Sequence, residues 1–324
     1  MMRVGLLGCA HVHAAHYVAA LRAGDIGARA VALYDPDSEQ AAAFAAAHGL
    51  ERATDAASLC GAVDAVIVVS EHSRYVEMVQ SAARAGLPVL CEKPFGASLG
   101  DLRTLLATDV WCSVAFPMRY APPLVRAKAM IEQGGLGELV AMSGTNRGSY
   151  PGGFFGDRAR SGGGALIDHV VHVADALYVL SGLEYETVYA EAGRFRNVGD
   201  VEDVAQVLAT TTSGAFASID SSWSRPAAMP GGLDFQMTLW FERATLHLDG
   251  MARRGLVVAA DGSIDYEEYG RGVNEAMLSA WVRAIESGAA PPIPALDGAR
   301  ATELALGALR SAETGRVVDL AALR

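Results

Sequence analysis

Val4-Gly5-Leu6-Leu7-Gly8-Cys9-Ala10-His11-Val12-His13 opens the chain with a short apolar run that breaks on a glycine. A helical pattern follows at once, from Ala14 to Arg22. A buried strand, a tight glycine turn and a helix are the parts with which a dinucleotide-binding fold sets a pyrophosphate against a helix N-terminus. Gly8 stands in the first position of the G-x-G-x-x-G fingerprint, Ala10 in the second and His13 in the third. A second strand, Ala30–Tyr34, ends in Tyr34-Asp35-Pro36-Asp37, and Asp35 lies 22 residues beyond His13. An acidic side chain at about 20 residues' interval meets the adenosine ribose hydroxyls. Asp35 and Asp37, with no arginine beside them, repel a 2′-phosphate, so the pattern predicts NAD in preference to NADP. Asp before Pro36 is also an ordinary turn residue.

Working outward, apolar strands at Ala65–Val69, Val89–Cys91 and Trp111–Ala115 alternate with helices at Ser38–His48, Ser73–Ala85 and Asp101–Ala107. That alternation predicts βαβ units on a parallel sheet covered on both faces. The pattern changes near Pro117. A helix at Pro123–Gln133, a strand at Leu139–Thr145, a Gly/Arg-rich stretch over 148–164 and a helix at Ala165–Leu180 come next. Strands then follow one another at Thr187–Glu191, Val204–Thr211, Ala215–Ser222, Leu233–Phe241 and Thr245–Leu248, and helices at Asn274–Glu286 and Asp297–Glu313 close the chain. The fold class is therefore α/β: a Rossmann dinucleotide-binding domain over 1–118, and an α+β domain over 119–324 with a mostly antiparallel open sheet.

Length and composition agree. The chain has 324 residues, enough for two domains, and a net charge of −11, which repels a nucleic-acid backbone. Four cysteines, Cys9, Cys60, Cys91 and Cys112, show no metal or disulfide spacing, and no apolar run approaches a membrane span. A cytoplasmic enzyme is expected. The 26 basic residues comprise 24 arginines and only two lysines, Lys93 and Lys128. Codon bias explains such a split, but a lysine kept in an arginine-rich chain draws attention, because lysine can exchange its proton and arginine cannot.

Five of the eight histidines fall in two groups, His11-Val12-His13-Ala14-Ala15-His16 and Asp168-His169-Val170-Val171-His172. A His-x-His after the first strand, with Asp168 and His172 one helical turn apart, is also a pattern for a catalytic zinc. That reading predicts a hydrolase barrel, which the consecutive strands after residue 185 oppose.

Glu92-Lys93-Pro94 follows a strand at the carboxyl edge of the sheet, where α/β ligands bind. Together with Gly162-Gly163-Gly164-Ala165-Leu166-Ile167-Asp168-His169-Val170-Val171-His172, with Ser222-Trp223, and with Arg310-Ser311-Ala312 and Val317-Val318-Asp319-Leu320, it makes the chain resemble the glucose–fructose oxidoreductase/inositol dehydrogenase (Gfo/Idh/MocA) family nearly end to end. The resemblance implies an NAD(P)-dependent dehydrogenase acting on a secondary alcohol of a sugar, cyclitol or related polyol. It implies that Lys93, Asp168 and His172 line the site where substrate meets nicotinamide.

On that reading His172 takes the hydroxyl proton, Asp168 orients it or bonds a substrate hydroxyl, and Lys93 donates to the oxygen on which charge grows. The cofactor site comprises Gly8, Ala10, His11, Val12, His13, Asp35, Ser70, His72, Glu92 and Lys93. Substrate contacts add Arg119, Asn146, Arg147 and Tyr150, with Arg158 and Arg160 nearby. The triple glycine lets backbone approach substrate and cofactor closely. His169, one step round the helix, reads as structural. An open sheet face near Trp223 and Trp240 predicts a homodimer or homotetramer. A non-catalytic NAD-binding sensor on the same scaffold is the alternative, and a zinc-dependent hydrolase using His11/His13 and Asp168/His172 the second.

Overall fold

The computed structural model describes all residues except 24, 197, 227, 230–232, 253, 259–263 and 269–271, and of 254–258 and 264–268 it describes the backbone only. The chain divides into two units. The first comprises Met1–Pro117, Ala159–Gly162 and Val273–Ala299; the second comprises Met118–Arg158, Gly163–Gly272 and Arg300–Arg324.

In the first unit, strands β1 (Met2–Leu7), β2 (Ala28–Tyr34), β3 (Glu51–Arg52), β4 (Ala65–Val68), β5 (Val89–Cys91) and β6 (Cys112–Val114) alternate with helices α1 (Ala14–Arg22), α2 (Ser38–His48), α3 (Ala56–Cys60), α4 (Tyr75–Arg84) and α5 (Leu99–Ala107). The sheet order is β3-β2-β1-β4-β5-β6 and every pairing is parallel. Val4, Leu6 and Leu7 of β1 and Ala65 to Val68 of β4 are fully buried, as strands covered on both faces must be. The order reverses between β1 and β4, and at the carboxyl ends of those two strands such a sheet binds its ligand. β3, exposed and two residues long, carries no apolar signal and was not expected.

The second unit begins with α6 (Pro122–Glu132) and β7 (Leu139–Arg147). After a short turn of helix, α7 (Arg158–Ser161), the segment expected as one helix from Ala165 starts as a π-helical turn, Leu166–Val170, and becomes α-helical only as α8 (Val171–Ser181). Strands β8 (Tyr185–Gly193), β9 (Val204–Thr211), β10 (Phe216–Ser222), β11 (Asp234–Phe241) and β12 (Thr245–Asp249) follow, then a separate hairpin of β13 (Arg254–Val258) and β14 (Ile264–Glu268). Gly214, at φ +86°, makes the hairpin turn between β9 and β10.

The chain closes with α9 (Val273–Ser287), α10 (Ala295–Thr314) and β15 (Val318–Asp319). The larger sheet runs β12-β11-β7-β10-β9-β8-β15; only β7 and β10 pair in parallel, so it is mixed and mostly antiparallel.

Two expectations need correction. Val273–Ala299 packs with the first unit: α9 lies against α1, and the amide of Val114 donates to Ile293 O at 2.9 Å. Sequence order alone had placed it with the second. The stretch Arg158–Ser181 does have the length and hydropathy of a membrane span, but 78% of its most apolar window is buried inside the protein, which makes it a core element.

Candidate active site

The nucleotide end is built on the carboxyl edge of β1, β2, β4 and β5. Gly8 leaves β1 at φ +91°, and a β-carbon there would stand 2.3 Å from the Ser70 Cα. Glycine is needed because the turn passes directly over the end of β4. Asp35, at the end of β2 and only 8% exposed, accepts from the Cys9 amide (2.7 Å) through one oxygen and the Asp37 amide (2.9 Å) through the other. Its carboxylate is thus fixed against the glycine turn, with lone pairs left for further donors. Asp37 caps α2 instead, accepting from the Glu39 and Gln40 amides. The N-terminus of α1 has no side-chain cap, Ala10 is part-exposed, and Val12 is exposed at the tip of the turn. A glycine turn over the switch point, an oriented acid at the end of β2 and an uncapped helix start fit a dinucleotide.

Glu92, at the carboxyl end of β5, is expected to line the cofactor, but it lies inside the protein with no exposed surface. One oxygen takes a bond from His13 Nδ1 (2.8 Å) and from the Tyr17 hydroxyl; the other accepts from the Lys93 amide (3.0 Å). Burial alone would raise its pKa, yet the surrounding His11, His13 and Lys93, with the bond from His13, hold it well below the usual carboxylate range. Burial also lowers His11 well below 6.5, so that ring is neutral, and its Nδ1 accepts from the His13 amide at 3.2 Å. Burial and the Glu92 charge push the Tyr17 phenol up, keeping it a donor.

Lys93 itself is 2% exposed, whereas Lys128 is an exposed helix residue 3.9 Å from Glu132. Ser70 lies under the turn, and His72 is buried with Nδ1 on the Ser161 carbonyl (2.8 Å), which makes it a brace within the unit. Arg160, expected near substrate, pairs with Glu71 at 2.5 Å.

Among the described residues, His11, His13 and Glu92 are the one group whose donor atoms lie close enough to share a metal ion. The His13–Glu92 distance of 2.8 Å and the amide on His11 Nδ1 are those of hydrogen bonds that already engage these atoms. The expected zinc set paired His11 and His13 with Asp168 and His172; neither of the latter belongs to the group.

The other chemistry-bearing residues stand on the second unit. Asp168, 5% exposed in the π-helical turn, accepts from the indole N–H of fully buried Trp223 at 3.0 Å. His169 Nε2 lies 3.2 Å from the same oxygen, while its Nδ1 donates to the Asn146 carbonyl at 3.0 Å. Tyr150 packs its ring 5.2 Å from that of Trp223. His172, four residues on, is part-exposed at the start of α8. Tyr150, Trp223, Asp168, His169 and Asn146 thus form one constellation.

Two expected substrate arginines do not join it. Arg119 makes a two-pronged pair with buried Asp175 of α8, at 2.8 and 2.5 Å, and is consumed in holding that helix. Arg147 follows Asn146 on β7 and therefore points to the opposite sheet face, where it bonds Asp220 at 2.8 Å. Arg158 pairs with Glu313 at 2.9 Å.

The triple glycine also has a different use. A β-carbon on Gly164 would stand 1.8 Å from the Glu202 carbonyl oxygen, and one on Gly162 2.6 Å from that of Ala97. The bare backbone admits other protein backbone. The buried Glu202 carboxylate, raised by desolvation against the amides it accepts, takes the Gly164 (2.7 Å) and Leu166 (3.2 Å) N–H groups, and its carbonyl takes that of Ala165 (2.9 Å). It caps the helix that carries Asp168. Sequence reading missed Glu202 and the Trp223 bond. The only available signal for the second was that a buried indole needs an acceptor.

Residues 2–110 match the model described as oxidoreductase family, NAD-binding Rossmann fold, and residues 124–247 match the GFO/IDH/MocA C-terminal domain. The chain is 28% identical to an inositol 2-dehydrogenase of Rhizobium meliloti over 99% of both chains. It is 26% identical to a 1,5-anhydro-D-fructose reductase of Ensifer adhaerens, again over 99% of both. Among solved structures, a putative myo-inositol dehydrogenase from Sinorhizobium meliloti matches with a TM-score of 0.80 at 26% identity, covering 99% of this chain and 100% of that one.

Proposed function

The chain belongs to the GFO/IDH/MocA family of NAD(P)-dependent dehydrogenases, and from that premise we propose that it oxidises a secondary alcohol of a sugar, cyclitol or related polyol with NAD, or reduces the corresponding ketone. The names of the relatives support the substrate class. The observation that carries the reading is Lys93: in a chain with only two lysines, this one stands buried at the carboxyl edge of the Rossmann sheet. Lysine is compact and can exchange its proton where arginine cannot, so its burial at a ligand-binding edge supports a chemical role. Preference for NAD over NADP rests on Asp35, whose fixed carboxylate suits ribose hydroxyls and repels a 2′-phosphate.

Bound nicotinamide supplies the hydride acceptor. Lys93 donates to the carbinol oxygen as its charge develops, His172 takes the hydroxyl proton, and Asp168 bonds a second substrate hydroxyl while Trp223 holds it in place. Asn146 and Tyr150 border the same constellation.

The uncovered sheet face of the second unit exposes Leu208, Phe216 and Trp240, the last two flanking Ala141 across β7. We assign it to self-association as a homodimer or homotetramer. Trp223 lies on the buried side and takes no part. Four free, buried cysteines suit a cytoplasmic setting.

Lys93→Arg tests the mechanism. Turnover should fall by at least about a hundredfold, the scale of a positioned acid–base group, with NADH still bound; turnover like that of the wild type refutes the role of Lys93.

A further inference from the structure

We propose that His13 and Glu92 form a positioning pair that ties the nucleotide turn to Lys93, so that one hydrogen-bonded unit sets both cofactor affinity and the placement of the lysine. The inference rests on the reading of Lys93 given above. His13 stands where the dinucleotide fingerprint carries its third glycine. Its backbone, φ −78° and ψ −12°, is ordinary helical geometry that asks for no glycine. The position therefore admits a side chain, and this one is used: Nδ1 donates to Glu92 Oε1 at 2.8 Å, across 79 residues of sequence.

Glu92 is fully buried, and both of its oxygens are taken up within the unit. Tyr17, on the first turn of α1, donates to the oxygen that His13 holds. The Lys93 amide donates to the other at 3.0 Å. The ring closes at the turn, because the His13 amide donates to His11 Nδ1 at 3.2 Å and the His11 amide donates to the Val69 carbonyl at 3.0 Å. Residues 11–13, the start of α1, the end of β4 and the Glu92-Lys93 step are thereby one connected unit. A buried carboxylate that loses a donor must take up a proton, find another donor or shift, and finding or shifting moves either the turn or the lysine. His13 is thus a positioning residue, acting on Lys93 through Glu92.

Three substitutions at one position separate a donor from a filler. His13→Asn keeps an N–H close to the place of Nδ1, His13→Leu keeps bulk without a donor, and His13→Ala keeps neither. NADH affinity, read by fluorescence titration, and kcat should each fall about tenfold or more in the leucine and alanine variants, the scale of a lost bond to a charged group. The asparagine variant should recover most of both losses. Leucine performing as well as asparagine overturns the proposal, since packing would then account for the residue. If His13→Leu fails to fold, Tyr17→Phe carries the test: removing the second donor to the same oxygen should weaken NADH binding several-fold, and unchanged affinity overturns the pair. Lys93→Arg run in parallel keeps the two readings apart. Turnover that survives it refutes the lysine's role, while the NADH titrations still judge whether His13 and Glu92 hold the turn.

Discussion

Gly164→Ala adds a single methyl group where the chain has no room for one. The new β-carbon would stand 1.8 Å from the Glu202 carbonyl oxygen, whereas ordinary contact begins near 3.4 Å, so one backbone must retreat by about 1.6 Å. The obstacle is main chain, which cannot rotate aside. Overpacking of this kind costs about 1–3 kcal/mol. The retreat also breaks the 2.7 Å bond from the Gly164 amide to the Glu202 carboxylate, worth about 1.5–3 kcal/mol for a charged acceptor. A loss of about 3–5 kcal/mol in urea unfolding is therefore expected. Asp168 lies one turn beyond the displaced cap, so kcat should drop at least about tenfold even at temperatures where the variant is folded. NADH affinity should stay within about a factor of two, because the dinucleotide turn belongs to the other unit. Stability and kcat equal to the wild type's would refute the packing argument. NADH affinity falling in step with kcat would refute the separation of roles.

Arg119→Ala removes the two-pronged partner of the buried Asp175 carboxylate and should destabilise the protein by about 3–5 kcal/mol in denaturant unfolding. Glu92 gives a pH dependence. Its folded pKa lies below the unfolded value of about 4.3, so the stability it contributes is present above that pH and is lost as pH falls below it. Unfolding free energy measured between neutral and acid pH should therefore fall more steeply below about 4.3 in the wild type than in Glu92→Gln. Leu208→Glu with Phe216→Glu should dissociate the oligomer, as read by light scattering, and leave the fold intact, since both side chains are solvent-exposed in the single chain.

What the sequence disclosed depended on how local the cause was. The Rossmann half was legible because continuous apolar strands, a glycine turn and Asp35 at its interval are all short-range signals. Lys93 announced itself by composition and position together. The tertiary partners were not legible. Glu92 meets His13 over 79 residues, Trp223 meets Asp168 over 55, and Arg119 meets Asp175 over 56. Which carboxylate is free for a ligand is decided only when such pairs form. Alternation along β7 puts Asn146 and Arg147 on opposite faces, but the strand expected from the sequence stops at Thr145, short of both. The π-helical turn at Leu166–Val170 likewise leaves no trace in apolar spacing.

The central claim is tested most directly by the initial rate of NADH formation across a panel of inositols, sugars and sugar acids, with NAD and NADP compared at equal concentration. At least one polyol or sugar should reduce NAD at a rate that saturates with substrate, with NADP far slower and Lys93→Arg nearly silent. A panel that reduces neither cofactor, or one that reduces NADP faster than NAD, would contradict the account.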